Sequence, residues 1–166
     1  MNPKMLAEAV IKYYEYFRPD ALWISADTWV TAEAMGANVA FPGKNLPLSG
    51  SGDTLITKPA DIKKIETIDI INKGRFPIML EALQLVQQAV GKDVFIVGCF
   101  DQAPFSLACS LMGIESAMTN LITDPAFVQD LLEVCLEYSI AYAVALAEAG
   151  ADMLSTGDSP AGLIGK

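Results

Sequence analysis

Three short, almost wholly apolar runs, separated by helix-length segments, constrain this chain more than any other feature. They are Ala21-Leu22-Trp23-Ile24-Ser25-Ala26, Val94-Phe95-Ile96-Val97 and Asp152-Met153-Leu154-Ser155-Thr156. An unbroken apolar run, without alternation, marks a strand buried on both faces, and such strands belong to parallel sheets covered by helices. The segments between them have helical spacing. Pro77 opens one helix, with Met79, Leu83, Val86 and Val90 along one stripe and Gly91 closing it. Asp124-Pro125 supplies a cap followed by proline at the first helical position; the helix after it buries Phe127, Leu131, Cys135, Tyr138, Tyr142 and Ala145 and ends at Gly150. Strand, helix, strand, helix, strand implies right-handed parallel crossovers, so the predicted class is α/β.

The remaining text fits around this frame. Leu6, Val10, Tyr13 and Phe17 recur at helical spacing before Pro19-Asp20, which predicts an amphipathic first helix with those residues inside. Pro104 starts a further helix to about Met112. From Gly36 to Lys58 the sequence turns to Gly, Pro, Ser and Asn, including Pro42-Gly43-Lys44 and Ser49-Gly50-Ser51-Gly52-Asp53. That is loop chemistry, expected to cover the mouth of the sheet, with a short hairpin around Thr54–Thr57. It lacks the ending of a phosphate-binding loop. No internal repeat or linker divides the chain, so residues 1–166 are expected to form a single domain.

Composition narrows the function classes. A formal net charge of -9 disfavours nucleic acid and anionic membrane surfaces as partners. No apolar stretch reaches bilayer length, and Met1–Val10 carries charge where a signal peptide would carry an apolar core. Cys99, Cys109 and Cys135 are odd in number with no CxxC pair, which suits a reduced, cytoplasmic thiol inventory. The chain has no histidine, which removes the usual general base and the commonest metal ligand. Any catalysis by these residues falls to carboxylates.

Carboxylates stand where such chemistry would sit. Asp27, Asp101 and Asp158 each lie at or just past the carboxyl end of a predicted strand, the face on which parallel α/β folds build their sites. Aspartate also caps helices at such turns, so each has a structural alternative. Three on one face predict a shared cleft. Phe100 and Gln102 flank Asp101 and are expected to line it.

Three segments carry a family resemblance, in the same order as in that family. Ser25-Ala26-Asp27 with Ala34-Met35-Gly36 resembles the strand, aspartate and "ALG" stretch of the uroporphyrinogen decarboxylase family. Ala103-Pro104-Phe105-Ser106-Leu107 resembles its "GAPWTL" or "GPFTLA" segment, and Gly150-Ala151-Asp152 with Gly157-Asp158-Ser159-Pro160-Ala161-Gly162 its "GAD…DSxAG" segment. The resemblance implies part of a TIM (β/α)8 barrel, roughly the first half. It also implies one of two activities: cofactor-free decarboxylation of the acetate arms of uroporphyrinogen, or methyl transfer between a corrinoid, often on a partner protein, and a small acceptor held by zinc. By that resemblance Asp27 is the catalytic carboxylate, the one that faces pyrrole N–H groups in the decarboxylases, and Ser159 contacts substrate, with Asp158 and Asp101 beside it.

Two departures favour the methyltransferase branch. Ser110 stands where the decarboxylases carry a tyrosine, and Arg18 and Arg75 are the only arginines, whereas a site for a polycarboxylate should be cation-rich. The zinc ligands of that branch, a His-x-Cys pair and a later cysteine, belong to the second half of the barrel. No metal or cofactor is therefore expected on this segment alone; zinc and a corrinoid are expected in the complete methyltransferase. Cys99 is expected to be a small buried residue, and Cys109 and Cys135 to be packing. A closed barrel needs about 250 residues, so the chain is expected to be a fragment that self-associates through its open edges, or a half-barrel serving only binding or assembly.

Overall fold

The computed structural model describes residues 1–43, 45–49 and 54–165. The chain runs α1 (Pro3–Phe17), β1 (Ala21–Ile24), α2 (Val30–Ala34), β2 (Val39–Ala40), β3 (Leu48–Ser49), α3 (Phe76–Val90), β4 (Phe95–Gln102), α4 (Pro104–Met112), α5 (Ile114–Thr123), α6 (Pro125–Glu148) and β5 (Met153–Gly157). Short 3-10 turns occupy Pro59–Lys64, Ile70–Asn72 and Ser159–Leu163. β1, β4 and β5 form one parallel sheet in the order β1-β4-β5, as the apolar runs require. The expected half-barrel is thus present as three adjacent parallel strands with helices on one side.

Register decides which side chains meet the helices. Leu22 pairs with Ile96 and Ile24 with Gly98, and Leu22, Ile24 and Ile96 are all inaccessible to solvent. Burying each such side chain stabilises the fold by about 1.5–3 kcal/mol. They lie in one core with Phe76, Met79, Leu83 and Val86 of α3 and Leu131, Cys135, Tyr138 and Tyr142 of α6. The Phe76 and Tyr142 rings stack at 4.1 Å where α3 meets α6. Asp152 fastens β5 to β4 at its start, accepting from Ile96 N at 2.8 Å while its own N–H donates to Ile96 O at 2.8 Å.

Among the described residues no helix covers the opposite face of the sheet. Trp23 is paired with Val97, Val97 with Met153, and Ala21 with Phe95, so these residues share that face. Trp23, Phe95 and Met153 are 56%, 47% and 47% exposed. This is the surface that the interior of a closed barrel would bury.

Local chemistry sets the helix ends. Asn2 caps α1 by accepting from Lys4 N at 2.9 Å, and Arg18 closes it in the left-handed conformation, φ 47, just before Pro19. Asp124 caps α6 as expected, accepting from Phe127 N at 3.2 Å. Gly113, φ 84, turns the chain between α4 and α5, which meet at 106°. No single helix among the described residues is long and apolar enough to cross a membrane.

Several expectations need correction. The buried face of α1 is formed by Ala7 and Tyr14, with Leu6 and Val10 partly covered, while Tyr13 and Phe17 are 51% and 63% exposed. Tyr13 instead lines a groove beside β1, with Ala9, Val10, Ala21, Leu22 and Trp23, on the free edge of the sheet. The two-stranded hairpin is β2–β3, not Thr54–Thr57; Ile56 N instead donates to Leu111 O at 3.1 Å and the Ile56 side chain is fully buried. Lys44 and Gly50-Ser51-Gly52-Asp53 of the Gly-rich segment lie outside the described residues. Ala145 is only half-buried on α6. The short helices α2 and α5 were not legible, and β4 runs on to Gln102, further than its apolar run.

Candidate functional site

The carboxyl ends of β4 and β5, with the start of α4, enclose a cleft of about 480 Å³. Its walls include Thr28, Trp29, Asp101, Gln102, Ser106, Cys109, Ser110 and Ser159. Hydroxyls and one carboxylate predominate among the polar groups, and no lysine or arginine among the described residues lines it.

The three strand-end aspartates are close in the fold yet have different surroundings. Asp27 follows β1 by three residues and turns away from the cleft. Its carboxylate accepts from Trp29 N at 2.9 Å and from both terminal nitrogens of Arg75, Nη2 at 3.0 Å. Arg75 Nε donates to Glu33 on α2, and the Phe41 ring lies 5.0 Å from the guanidinium carbon. The Asp27 and Arg75 side chains are 8% and 7% exposed. Burial alone would lower the Arg75 pKa; the hydrogen bonds from Asp27 and Glu33 outweigh it and hold the guanidinium protonated above its ordinary range. Gly74 brings this arginine in: at φ 51, any Cβ there would lie 3.0 Å from the Ala34 backbone.

Asp158 follows β5 directly and caps α4 from a distance in sequence. It accepts from Ser106 N at 2.7 Å, Ser106 Oγ at 2.7 Å and Phe105 N at 3.3 Å. The first turn of a helix carries partial positive charge, so this carboxylate has its electrostatic partner in the backbone.

Asp101 sits within β4, where the pairing with β5 is irregular between Cys99 and Gln102, and its φ is 30. Its carboxylate accepts from Ser25 Oγ at 2.5 Å and from Cys99 Sγ at 3.2 Å. A bulge with a left-handed residue re-aims a side chain, here toward the mouth of the sheet. Gln102 donates through Nε2 to Ser110 Oγ at 2.7 Å, and Ser110 Oγ donates to Ser106 O at 3.1 Å. The Gln102 side-chain oxygen Oε1 is buried and has no hydrogen-bond partner among the described residues.

Of the residues expected to form the site, then, Asp101, Gln102 and Ser159 line the cleft together. Asp27 and Phe100 instead line a closed gap behind it, shared with Asp101, Tyr142 and Met79 and too tight for a water molecule. Asp158 borders a separate shallow groove with Pro104 and Phe105. The expected single cleft for all three aspartates is not formed, because Arg75 and the α4 N-terminus each draw one carboxylate aside. Trp29, Thr28 and Ser106 were not anticipated as walls; a tryptophan two residues past a strand-end aspartate was the available signal.

The thiols are poor ligands and poor nucleophiles. Burial first, then the neighbouring Asp101 carboxylate, pushes Cys99 up to about 11, and burial with the Asp158 charge pushes Cys109 up to about 11. Cys135 is raised further by burial in the core. Cys109 is nonetheless a wall of the cleft as well as a packing residue. No group of three or more His, Cys, Asp or Glu among the described residues could hold a metal ion. This donor set does not fit zinc.

Comparison with known proteins agrees with the fold. Residues 1–166 match the family described as Uroporphyrinogen decarboxylase (URO-D). The chain is 31% identical over 158 residues to the methylcobamide:CoM methyltransferase MtaA of Methanosarcina barkeri, covering 95% of this chain and 45% of the relative. The uroporphyrinogen decarboxylase of Agrobacterium fabrum is 27% identical, with 99% of this chain and 47% of the relative covered. A solved methyltransferase from Methanosarcina mazei superposes with a TM-score of 0.83 at 31% identity, covering 95% of this chain and 46% of that one. The chain spans about half the length of the curated relatives it matches.

Proposed function

The chain belongs to the uroporphyrinogen decarboxylase family, and from that premise we propose that it supplies the first half of a barrel enzyme that moves a methyl group between a corrinoid and a small acceptor. One observation carries the choice between the family's two activities. The buried guanidinium of Arg75 is committed to Asp27 and Glu33, and among the described residues the charged group on the cleft wall is the Asp101 carboxylate. A substrate bearing many carboxylates needs cations to replace its lost hydration. A cleft walled by hydroxyls, an amide and a carboxylate suits neutral or donor-bearing groups, such as the amide-substituted rim of a corrinoid. Ser110, in place of a tyrosine, adds to the same side, as does the higher identity to the methylcobamide:CoM methyltransferases.

In this reading Asp101, Gln102 and Ser159 meet the substrate, and Asp27 with Asp158 fixes the walls that carry Trp29 and Ser106. Zinc and its ligands belong to the remaining strands, where a bound metal would activate the acceptor; no cluster of ligands among the described residues would hold it. The exposed inner face of the sheet packs against those strands, and a corrinoid protein is the natural partner.

The test is competition binding to the full-length protein. Uroporphyrin, the oxidised octacarboxylate analogue, and methylcobalamin are titrated against it by fluorescence quenching. Tighter methylcobalamin binding supports the proposal; preference for the octacarboxylate rejects it.

A further inference from the structure

Two backbone hydrogen bonds fix Trp29 at the cleft, and the residues that make them both lead to Arg75. Trp29 N donates to Asp27 Oδ1 at 2.9 Å, which closes a tight turn after β1. Trp29 O accepts from Glu33 N at 2.9 Å, which begins α2. The Asp27 carboxylate then takes both terminal nitrogens of Arg75, and the Glu33 carboxylate takes its Nε. These contacts close a ring that runs from Arg75 to Asp27, Trp29, Glu33 and back. Arg75 directly precedes α3, 42 residues from Glu33 and 48 from Asp27, so the ring joins two distant parts of the chain. It supplies what α2 lacks, because a helix of five residues is too short to be stable by itself.

The ring calls for a guanidinium in particular. Nε and the two terminal nitrogens donate in fixed directions in one plane, so a single side chain holds two carboxylates at a set separation. A lysine ammonium is a point charge that can neutralise the acids without fixing where they stand. Arg75, Asp27 and Glu33 are not walls of the 480 Å³ cleft, whereas Thr28 and Trp29, carried by the ring, are.

We infer that Arg75 is a positioning residue of the cleft: by holding Asp27 and Glu33, which bind the two backbone groups of Trp29, it sets where the wall made by Thr28 and Trp29 stands. Arg75 acts through these acids and does not touch what the cleft binds. The role differs from a contribution to stability, which any buried ion pair can make, because it ties one dimension of the cleft to the orientation of one guanidinium. It rests on the reading of this cleft as the binding site, and it holds for either of the family's two activities.

Fluorine NMR tests it on the full-length protein labelled with fluorotryptophan, the Trp29 line being identified by its loss in Trp29→Phe. Spectra are recorded without ligand at a temperature where the variants are folded, so a change in stability alone leaves the line in place. Arg75→Lys, which keeps the charge and loses the fork, should displace the Trp29 line by more than its width and raise its response to replacing water by heavy water. Where Arg75→Lys fails to fold, Glu33 decides; its side chain is partly exposed, so the fold should tolerate its loss. Glu33→Ala should displace the line, and Glu33→Gln, whose amide oxygen still accepts from Arg75 Nε, should return it toward the parent position. Asn2→Ala removes the cap of α1, away from the cleft, and should leave the line unmoved. A parent-like Trp29 line in folded Arg75→Lys would overturn the inference. So would identical lines in Glu33→Ala and Glu33→Gln, or an equal displacement in Asn2→Ala. Methylcobalamin is added last: a parent Trp29 line that does not respond to it speaks against the proposed function, while the ligand-free spectra decide the role of Arg75 independently.

Discussion

Replacing Arg75 by methionine should be among the most damaging single changes available to this fold. The substitution keeps much of the side-chain bulk but removes the charge that two carboxylates share. Asp27 is left with one backbone N–H as its partner, at 8% side-chain exposure, while Glu33, at 25%, regains some water. Removing one partner of a buried ion pair costs about 3–5 kcal/mol, because the other charge remains buried and unpaired. The lost contact with the Phe41 ring adds about 0.5–1 kcal/mol. For a chain of this length each kcal/mol moves Tm by about 2–4 °C, so a fall of about 10 °C is expected. Urea unfolding, at concentrations where sedimentation shows one species, measures the loss directly, with an unchanged m-value confirming a pure stability effect. Arg75→Met/Asp27→Asn should recover part of the loss, giving a coupling of at least about 1 kcal/mol, as residues in one network do. A single-variant loss below about 1 kcal/mol, or strict additivity in the double variant, would refute the buried-network argument.

Asp61 accepts from Thr57 Oγ1 at 2.7 Å and Thr57 N at 3.0 Å, and pairs with Lys64, so its pKa is held below the usual carboxylate range, the Thr57 hydroxyl first among the causes. A depressed folded-state pKa adds stability above the unfolded pKa of about 4 and loses it as pH falls. Asp61→Asn should therefore show its largest deficit at neutral pH in urea unfolding, narrowing below about pH 4; a constant deficit would contradict the assignment. Burial raises all three thiols, so iodoacetamide at pH 7 should leave Cys99, Cys109 and Cys135 largely unmodified in the folded chain and alkylate all three after unfolding. Rapid native alkylation would oppose this. Trp23, Phe95 and Met153 on the uncovered sheet face should drive self-association of residues 1–166 at micromolar concentration. Light scattering from a stable monomer would count against that expectation.

The parallel sheet was legible because its strands are apolar on both faces, the helix-covered one and the one that leaves Trp23, Phe95 and Met153 exposed, and Asp124-Pro125 and Gly150 marked the ends of α6 plainly. The inward face of α1 was not, since Tyr13 and Phe17 satisfy helical spacing equally well and only the packing of α1 on α3 decides which face is inside. α2 spans five residues, with β-branched Val30 and Thr31 at its start, and too short a stripe to show a period. At the site, position along the chain correctly located three acids but could not tell how each is neutralised. Arg75 lies 48 residues from Asp27, and Ser106 lies 52 from Asp158. Such pairings depend on tertiary approach, here through the close contact of Gly74 with α2, which no local pattern encodes.

One turnover measurement bears on the functional reading as a whole. The full-length protein, supplied with zinc, is mixed with methylcobalamin and 2-mercaptoethanesulfonate, and loss of the methylcobalamin absorbance is followed beside chromatography of added uroporphyrinogen. Methyl transfer to the thiol with uroporphyrinogen left intact is the expected result. Stepwise loss of the acetate carboxylates from uroporphyrinogen, with methylcobalamin unchanged, would contradict it and place this cleft with the decarboxylases.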